Sequence, residues 1–347
     1  MRGSRKRILI VQNELMHYRR PLYAALAKIY SLTVLHSGSR EADAAFEYEE
    51  VVVPQRKVGP CVVQSGVLGH LESCSYDVVI AMFDLRWPSG LLPTFRQRNY
   101  RYLLWGHRHS RRKIANEIRR VVMCRADGHI LYGEADVERM VSSGIRRESI
   151  YVAHNTIHVP NHCDCSNIPK NTFLFVGRAQ ARKRVDQLIR AFATIVSQIP
   201  RDFVIEIVGS GSENARLMDL AASCGIGDRV IFRGEITDAV ALKECYSRAL
   251  AYVSPGDVGL GVLHSFAYGV PLITATDAHH GPEAENLKDS VNCILFEGDK
   301  NLASSMLSLI NHRALAARLG ANAYRLYSEK RSMDVMVRAF VAAIEAE

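Results

Sequence analysis

Short apolar runs alternate with amphipathic segments from one end of the chain to the other. Arg7–Val11, Leu32–His36, Asp77–Met82, Arg101–Trp105, Gly128–Tyr132 and Ser149–Val152 are rich in Ile, Val, Leu and aromatic residues and lack polar alternation, which predicts strands buried on both faces. Between them Pro21–Ile29, Arg112–Arg125 and Ala135–Ser143 repeat apolar residues at helical spacing. The segment His158–Asn171, rich in Pro, Asn, Asp and Ser, interrupts the rhythm and reads as a linker. The pattern then restarts, with strands expected at Phe173–Val176, Phe203–Val208, Arg229–Arg233, Leu250–Val253 and Leu272–Thr274 and helices at Val185–Gln198, Asn214–Cys224 and Ala239–Arg248. The expected fold class is α/β, with two doubly wound Rossmann-like domains facing across a cleft: residues 1–160, a linker over 161–171, and residues 172–328. A final helix over 329–347 carries Met333, Met336, Val337, Phe340, Val341 and Ile344 on one stripe, and is expected to pack back on the first domain.

Length supports two domains, because 347 residues exceed what one core usually serves. With 48% hydrophobic and 23% charged residues, disorder is excluded. No uncharged apolar run reaches the roughly 18 residues that span a bilayer. The basic start Met1–Arg7 precedes only a short apolar run, too short for a signal-peptide core, so cytoplasmic residence is expected. Charge is uneven: 25 Lys and Arg face 16 Asp and Glu across residues 1–170, against 19 and 20 across 171–347. The excess is densest from Arg96 to Arg125, which suits an anionic membrane surface or a diphosphate-linked partner. A nucleic-acid role is not expected, since Tyr100, Tyr102 and Trp105 fall mostly on a buried strand. The eight cysteines are scattered and read as reduced, buried thiols. His154, His158, His162, Cys163 and Cys165 crowd one loop but lack zinc-site spacing, so no metal is expected.

The candidate chemistry lies in loops that follow strands of the second half. Ser254–Gly261, with Gly256, Gly259 and Gly261, leaves the apolar run Leu250–Val253 and leads into a helix expected to start directly after Gly256, which would offer free amides to a phosphate. Gly177–Arg184 adds one glycine and four cations, and Gly209–Ser210–Gly211 two more glycines. A nucleotide diphosphate needs such donors on several sides.

At these residues the chain resembles a known family. Gly177–Arg178 with Lys183 and Asp186, Val208–Gly211, Val230–Gly234, Val253–Pro255 and Val262–Pro271 are similar, in order and spacing, to retaining glycosyltransferases of family 4, which have the GT-B fold. His17–Tyr23 resembles the acceptor-side loop, and Tyr151–Ile157 the approach to the linker. The resemblance implies that Arg178, Lys183, Gly259 and Leu260 hold the donor diphosphate, and that Gly209, Gly211, Gly234 and His264 line the nucleotide. It further implies that His107, Asp257 and Glu283 are the catalytic groups and that Tyr18 and Arg19 belong to the acceptor side. One departure stands out: where the family has two glutamates eight positions apart, this chain has Gly256 and His264, as in a subgroup with a Val-Gly-Leu…His form. The implied activity is sugar transfer from a nucleotide-diphosphate sugar to a saccharide or polyprenyl-diphosphate-linked acceptor in surface polysaccharide biosynthesis, at the inner face of the membrane and without cofactor or metal. The alternative is a non-catalytic GT-B scaffold that binds nucleotide or protein.

Overall fold

A computed structural model describes residues 5–39, 47–106, 113–159 and 168–346. The chain forms two units, Met1–His158 together with Met333–Glu347, and Val159–Ser332.

In the first unit the elements run β1 (Arg7–Val11), α1 (Arg20–Ala27), β2 (Ser31–His36), β3 (Glu49–Val52), β4 (Gln55–Val58), β5 (Cys61–Gln64), α2 (Val67–Ser73), β6 (Val78–Met82), β7 (Arg101–Trp105), α3 (Lys113–Met123), β8 (Gly128–Leu131), α4 (Val137–Ser142) and β9 (Ile150–Val152). Seven strands form one parallel sheet in the order β3-β2-β1-β6-β7-β8-β9, while β4 and β5 pair as a separate antiparallel hairpin. The central strands are buried almost throughout, as uninterrupted runs such as Ile8–Val11 and Val78–Ala81 require.

The second unit runs β10 (Thr172–Val176), α5 (Val185–Ile195), β11 (Val204–Val208), α6 (Asn214–Ser223), β12 (Val230–Gly234), α7 (Ala239–Arg248), β13 (Ala249–Val253), α8 (Gly261–Ala267), β14 (Leu272–Ala275), β15 (Cys293–Phe296), α9 (Asp299–Asn311) and α10 (Arg313–Leu326). Its six parallel strands lie in the order β12-β11-β10-β13-β14-β15. Phe173, Phe192 and Phe203 anchor one layer of its core, and Tyr246, Tyr252 and Phe266 the other.

After a π-helical turn at Tyr327–Arg331 the chain re-enters the first unit as α11 (Met333–Glu345). Met333, Met336, Phe340, Ala343 and Ile344 are buried against Leu22, Tyr23 and Trp105, and the Phe340 and Trp105 rings meet edge to face at 4.8 Å. Arg101 donates to the carbonyl of Ala343 at 2.8 Å and to that of Ala346, a cation at the negative end of the helix. Lys6 Nζ reaches Glu345 at 2.6 Å.

The hairpin and β3 are not among the strands expected from sequence. β3 and β4 carry too much charge to read as strands: β4 is exposed along its whole length, and Glu50 of β3 is buried only because Arg20 and His36 pair with it at 3.2 and 3.0 Å. One expectation needs correction. Of the described cysteines only Cys245 and Cys293 are buried, while Cys61, Cys74 and Cys224 are half-buried and Cys124 is exposed. A small apolar residue beside a helix end stays partly wet when no neighbour covers it.

Candidate functional site

In the second sheet the strand order reverses between β10 and β13, and ligands of such sheets bind in the crevice beyond the carboxyl ends at that point. Two of the loops there are welded by backbone. The amides of Gly256 and Asp257 donate to the carbonyls of Lys183 and Arg182 at 3.1 and 3.0 Å, and a Cβ on Gly256 would overlap the Arg182 carbonyl. Next to them Gly209, at φ +120°, lies so close to the Gly177 carbonyl that only glycine fits, and its amide donates to Gly234 at 2.6 Å. The sequence-proposed nucleotide glycines Gly209 and Gly234 are thus adjacent, and Gly211 packs on Ala179 of the neighbouring loop.

This welding corrects the expected helix start. The residues after Gly256 stay in a turn, and α8 begins only at Gly261 and runs for 7 residues. Val258 is clasped on both sides: its N–H donates to His280 Nδ1 at 3.3 Å, and its carbonyl accepts from Gly281 at 2.9 Å. His280 Nε2 donates to the Ala275 carbonyl at 2.7 Å, which places the ring proton on Nε2. The amides of Gly259, Leu260 and Gly261 donate to no acceptor among the described residues. They form a row of free N–H groups suited to an anion. His280 went unnoticed in the sequence, where it is one of several polar residues in a loop.

Lys183 joins this row. Its Nζ donates to the Asp257 carbonyl at 2.7 Å and lies 3.9 Å from Asp257 Oδ1. Arg182 also pairs with the Asp257 carboxylate. Asp257, implied by the resemblance as a catalytic group, is therefore engaged by two cations. Burial holds the Lys183 pKa below the ordinary lysine range; the Asp257 and Glu283 charges oppose that shift, and Arg182 adds to it. Glu283 is buried at 8% exposure with its carboxylate beside Gly281. Lys183, Asp257, Glu283 and the free amides are thus assembled in one place. Arg178 is exposed and makes no ion pair among the described residues, so it is available but not held.

His264, on α8, packs against the stacked pair Tyr246 and Tyr268, its ring centroid 4.9 Å from the first and 5.6 Å from the second. Burial lowers its pKa to about 4 from the ordinary 6.5, so the imidazole is neutral at pH 7. Buried His129 on β8 behaves alike, also at about 4. Between pH 6.5 and 4 the unfolded chain binds these protons and the folded chain does not, so stability falls as pH drops through that window. Thermal melts are expected to show this decline, with a shallower slope in His264→Gln. An unchanged slope in that variant would remove the assignment.

Tyr18 and Arg19 lie in the first unit, in the turn between β1 and α1. His107, and the His162, Cys163 and Cys165 of the loop weighed for zinc, lie outside the described residues.

Residues 166–326 match the family model of glycosyl transferases group 1. Over those residues the chain is similar to that family. The match spans the whole second sheet and every loop of the site just described. D-inositol 3-phosphate glycosyltransferase of Geodermatophilus obscurus is 30% identical over 185 residues, covering 50% of this chain and 40% of that protein. N-acetyl-alpha-D-glucosaminyl L-malate synthase of Bacillus anthracis is 27% identical over 155 residues, 44% of this chain and 40% of its own length. The chain thus spans well under half the length of these curated relatives in the matched region. Among solved structures, Anabaena HepE in complex with UDP superposes with a TM-score of 0.72 at 18% identity, over 97% of this chain and 98% of that one. That likeness extends the GT-B fold beyond the matched residues to both units.

Proposed function

We propose that this chain is a retaining glycosyltransferase that moves a sugar from a nucleotide-diphosphate sugar to a saccharide or lipid-linked saccharide acceptor in surface polysaccharide biosynthesis. The observation that carries this reading is the row of unengaged amides at Gly259–Gly261 beside Lys183, at the switch point of the matched domain. As the bond from sugar to diphosphate breaks, negative charge grows on the diphosphate, and preorganised N–H groups with a partly desolvated ammonium stabilise it. Arg178 supplies a second cation from solvent. Asp257 acts here mainly by holding Lys183 and Arg182 in place, which leaves Glu283 as the acid beside the donor sugar. His264, neutral and with no hydrogen bond from its ring among the described residues, can bond a ribose hydroxyl. In this reading the cations and amides neutralise the diphosphate without a divalent ion, so turnover is expected to persist in EDTA.

A melting-temperature screen of nucleotide sugars tests the proposal, with UDP donors first because HepE was solved with UDP. One donor is expected to stabilise the chain and to be hydrolysed slowly to free nucleotide. The replacement of both family glutamates by Gly256 and His264 favours the rival reading, a non-catalytic scaffold; it would bind nucleotide and release none. Absence of any nucleotide-sugar shift sinks the transferase and leaves only a scaffold that binds protein.

Peripheral membrane location is supported by α3, where Ile114, Ile118 and Val121 are 78, 50 and 46% exposed at helical spacing beside exposed Arg120 and Arg125. Among the described residues no helix is long and apolar enough to cross a membrane. Co-sedimentation with anionic vesicles, lost in Ile118→Asp, checks this part; equal pelleting of that variant counts against it.

A further inference from the structure

At the carboxyl edge of the first sheet, beside its own switch point between β1 and β6, several buried polar groups have no partner among the described residues. Arg19 is only 7% exposed, and no carboxylate among the described residues pairs with it. Its Nη2 donates to Tyr132 Oη at 2.7 Å, and its guanidinium carbon lies 4.1 Å from the Trp105 ring centroid and 5.6 Å from that of Tyr18. Its Nη1 is buried and has no hydrogen-bond partner among the described residues. The same is true of Trp105 Nε1 and of Gln12 Nε2. Gln12 directly follows β1, whose Val11 pairs with Ala81 of β6, and the next residue of β6, Met82, accepts from Tyr132 Oη at 3.5 Å. All of these groups therefore share one corner of the sheet edge.

Aromatic faces attract the guanidinium charge but accept nothing from an N–H lying in the plane of the group. A buried cation kept this way, with further unmet donors around it, is costly as a purely structural device and well suited to an electron-rich guest. We propose that the Arg19 box is an oxyanion subsite that takes the phosphate or diphosphate group of the acceptor. Half-exposed Tyr18 is the outermost ring of the box, and its rotation opens the way in. Assigning the anion to the acceptor rests on the glycosyl-transfer reading, whereas anion binding by Arg19 does not. The phosphate has two sources, a phosphorylated polyol or sugar in solution and the diphosphate headgroup of a lipid-linked saccharide.

The chain has 2 tryptophans, so a Trp87→Phe background leaves Trp105 as the sole indole, in contact with the proposed guest. Inorganic phosphate titrated against chloride at matched ionic strength is expected to give a saturable change in its emission. Arg19→Met and Arg19→Gln should weaken that response at least about tenfold, since a charge-assisted contact is lost. Lys183→Ala, which removes a cation of the donor site, should leave it intact. No saturable change beyond chloride, an equal response in both Arg19 variants, or loss in Lys183→Ala alone would overturn the proposal. Should either Arg19 variant fail to fold, hydrogen exchange at residues 16–20 of the unmodified chain reads the same event: phosphate must slow it. Glycerol 3-phosphate and farnesyl diphosphate in detergent, run as competitors, separate the sources, the tighter one naming the class. Failure of the transfer reading shows itself independently, as a chain that responds to phosphate but to no nucleotide sugar.

Discussion

Lys183→Ala is expected to lower kcat/KM for the cognate donor about 100- to 1,000-fold, the loss typical when one preorganised donor to a developing oxyanion is removed. Its Nζ sits on the carbonyl of Asp257, two residues ahead of the free amides, and burial has already stripped much of its water. An ammonium in that condition acts on the leaving diphosphate without first reorganising solvent. Melting temperature should move little, because removing the amine also removes its desolvation cost and leaves Arg182 to pair with Asp257. Lys183→Arg is not expected to rescue turnover, since a planar fork does not fill the place of a compact point charge. Steady-state kinetics and melts on both variants check this. Turnover within fivefold of the parent would remove Lys183 from the mechanism.

Gly256→Glu restores the residue that the resembled family carries, yet it is expected to abolish donor binding. Any Cβ at this position overlaps the Arg182 carbonyl and crowds Lys183, and those same backbone groups accept the amides of Asp257 and Gly256. The two loops must separate, at a cost of about 1–3 kcal/mol or more. That separation carries off the Lys183 contact and the ordered approach to Gly259. A drop of several degrees in melting temperature, together with loss of the nucleotide-sugar shift, is the expected pair of results. A stable Gly256→Glu protein with raised activity would mean that the loops are not welded as described. Gly256→Ala should show the same pair of results, because the overlap begins at Cβ rather than at the carboxylate.

What was legible in the sequence was governed by range. Central strands such as Ile8–Val11 and Phe173–Val176 are apolar on both faces, which only a sheet covered twice can use, and the layer architecture follows from that. The edge strand β3 was hidden because Glu50 becomes buried only through Arg20 and His36, contacts that no local pattern encodes. At the site, glycines and cations after strands mark the loops, but their roles are set across long separations. The pairing of Arg182 with Asp257 joins residues 75 positions apart, and the clasp of His280 on Val258 spans 22. A helix after Gly256 was the natural local reading; the structure delays it because neighbouring amides are drawn across to another loop. Likewise, the resemblance placed Arg19 on the acceptor side, but its burial among aromatic rings was not legible, since its surroundings come from the ends of three other strands.

The closing helix α11 also ties biosynthesis to architecture. A ribosome releases β1 to β9 long before it has made Met336 and Phe340, so Trp105, Tyr23 and Leu22 of the nascent chain must wait uncovered while the whole second unit is synthesised. The unit encoded in the middle of the chain can finish its core first, and the one that begins the chain finishes last. During that interval the early sheet offers an oily flank to any holdase within reach, and growth conditions that outpace such helpers should be paid for in insoluble product.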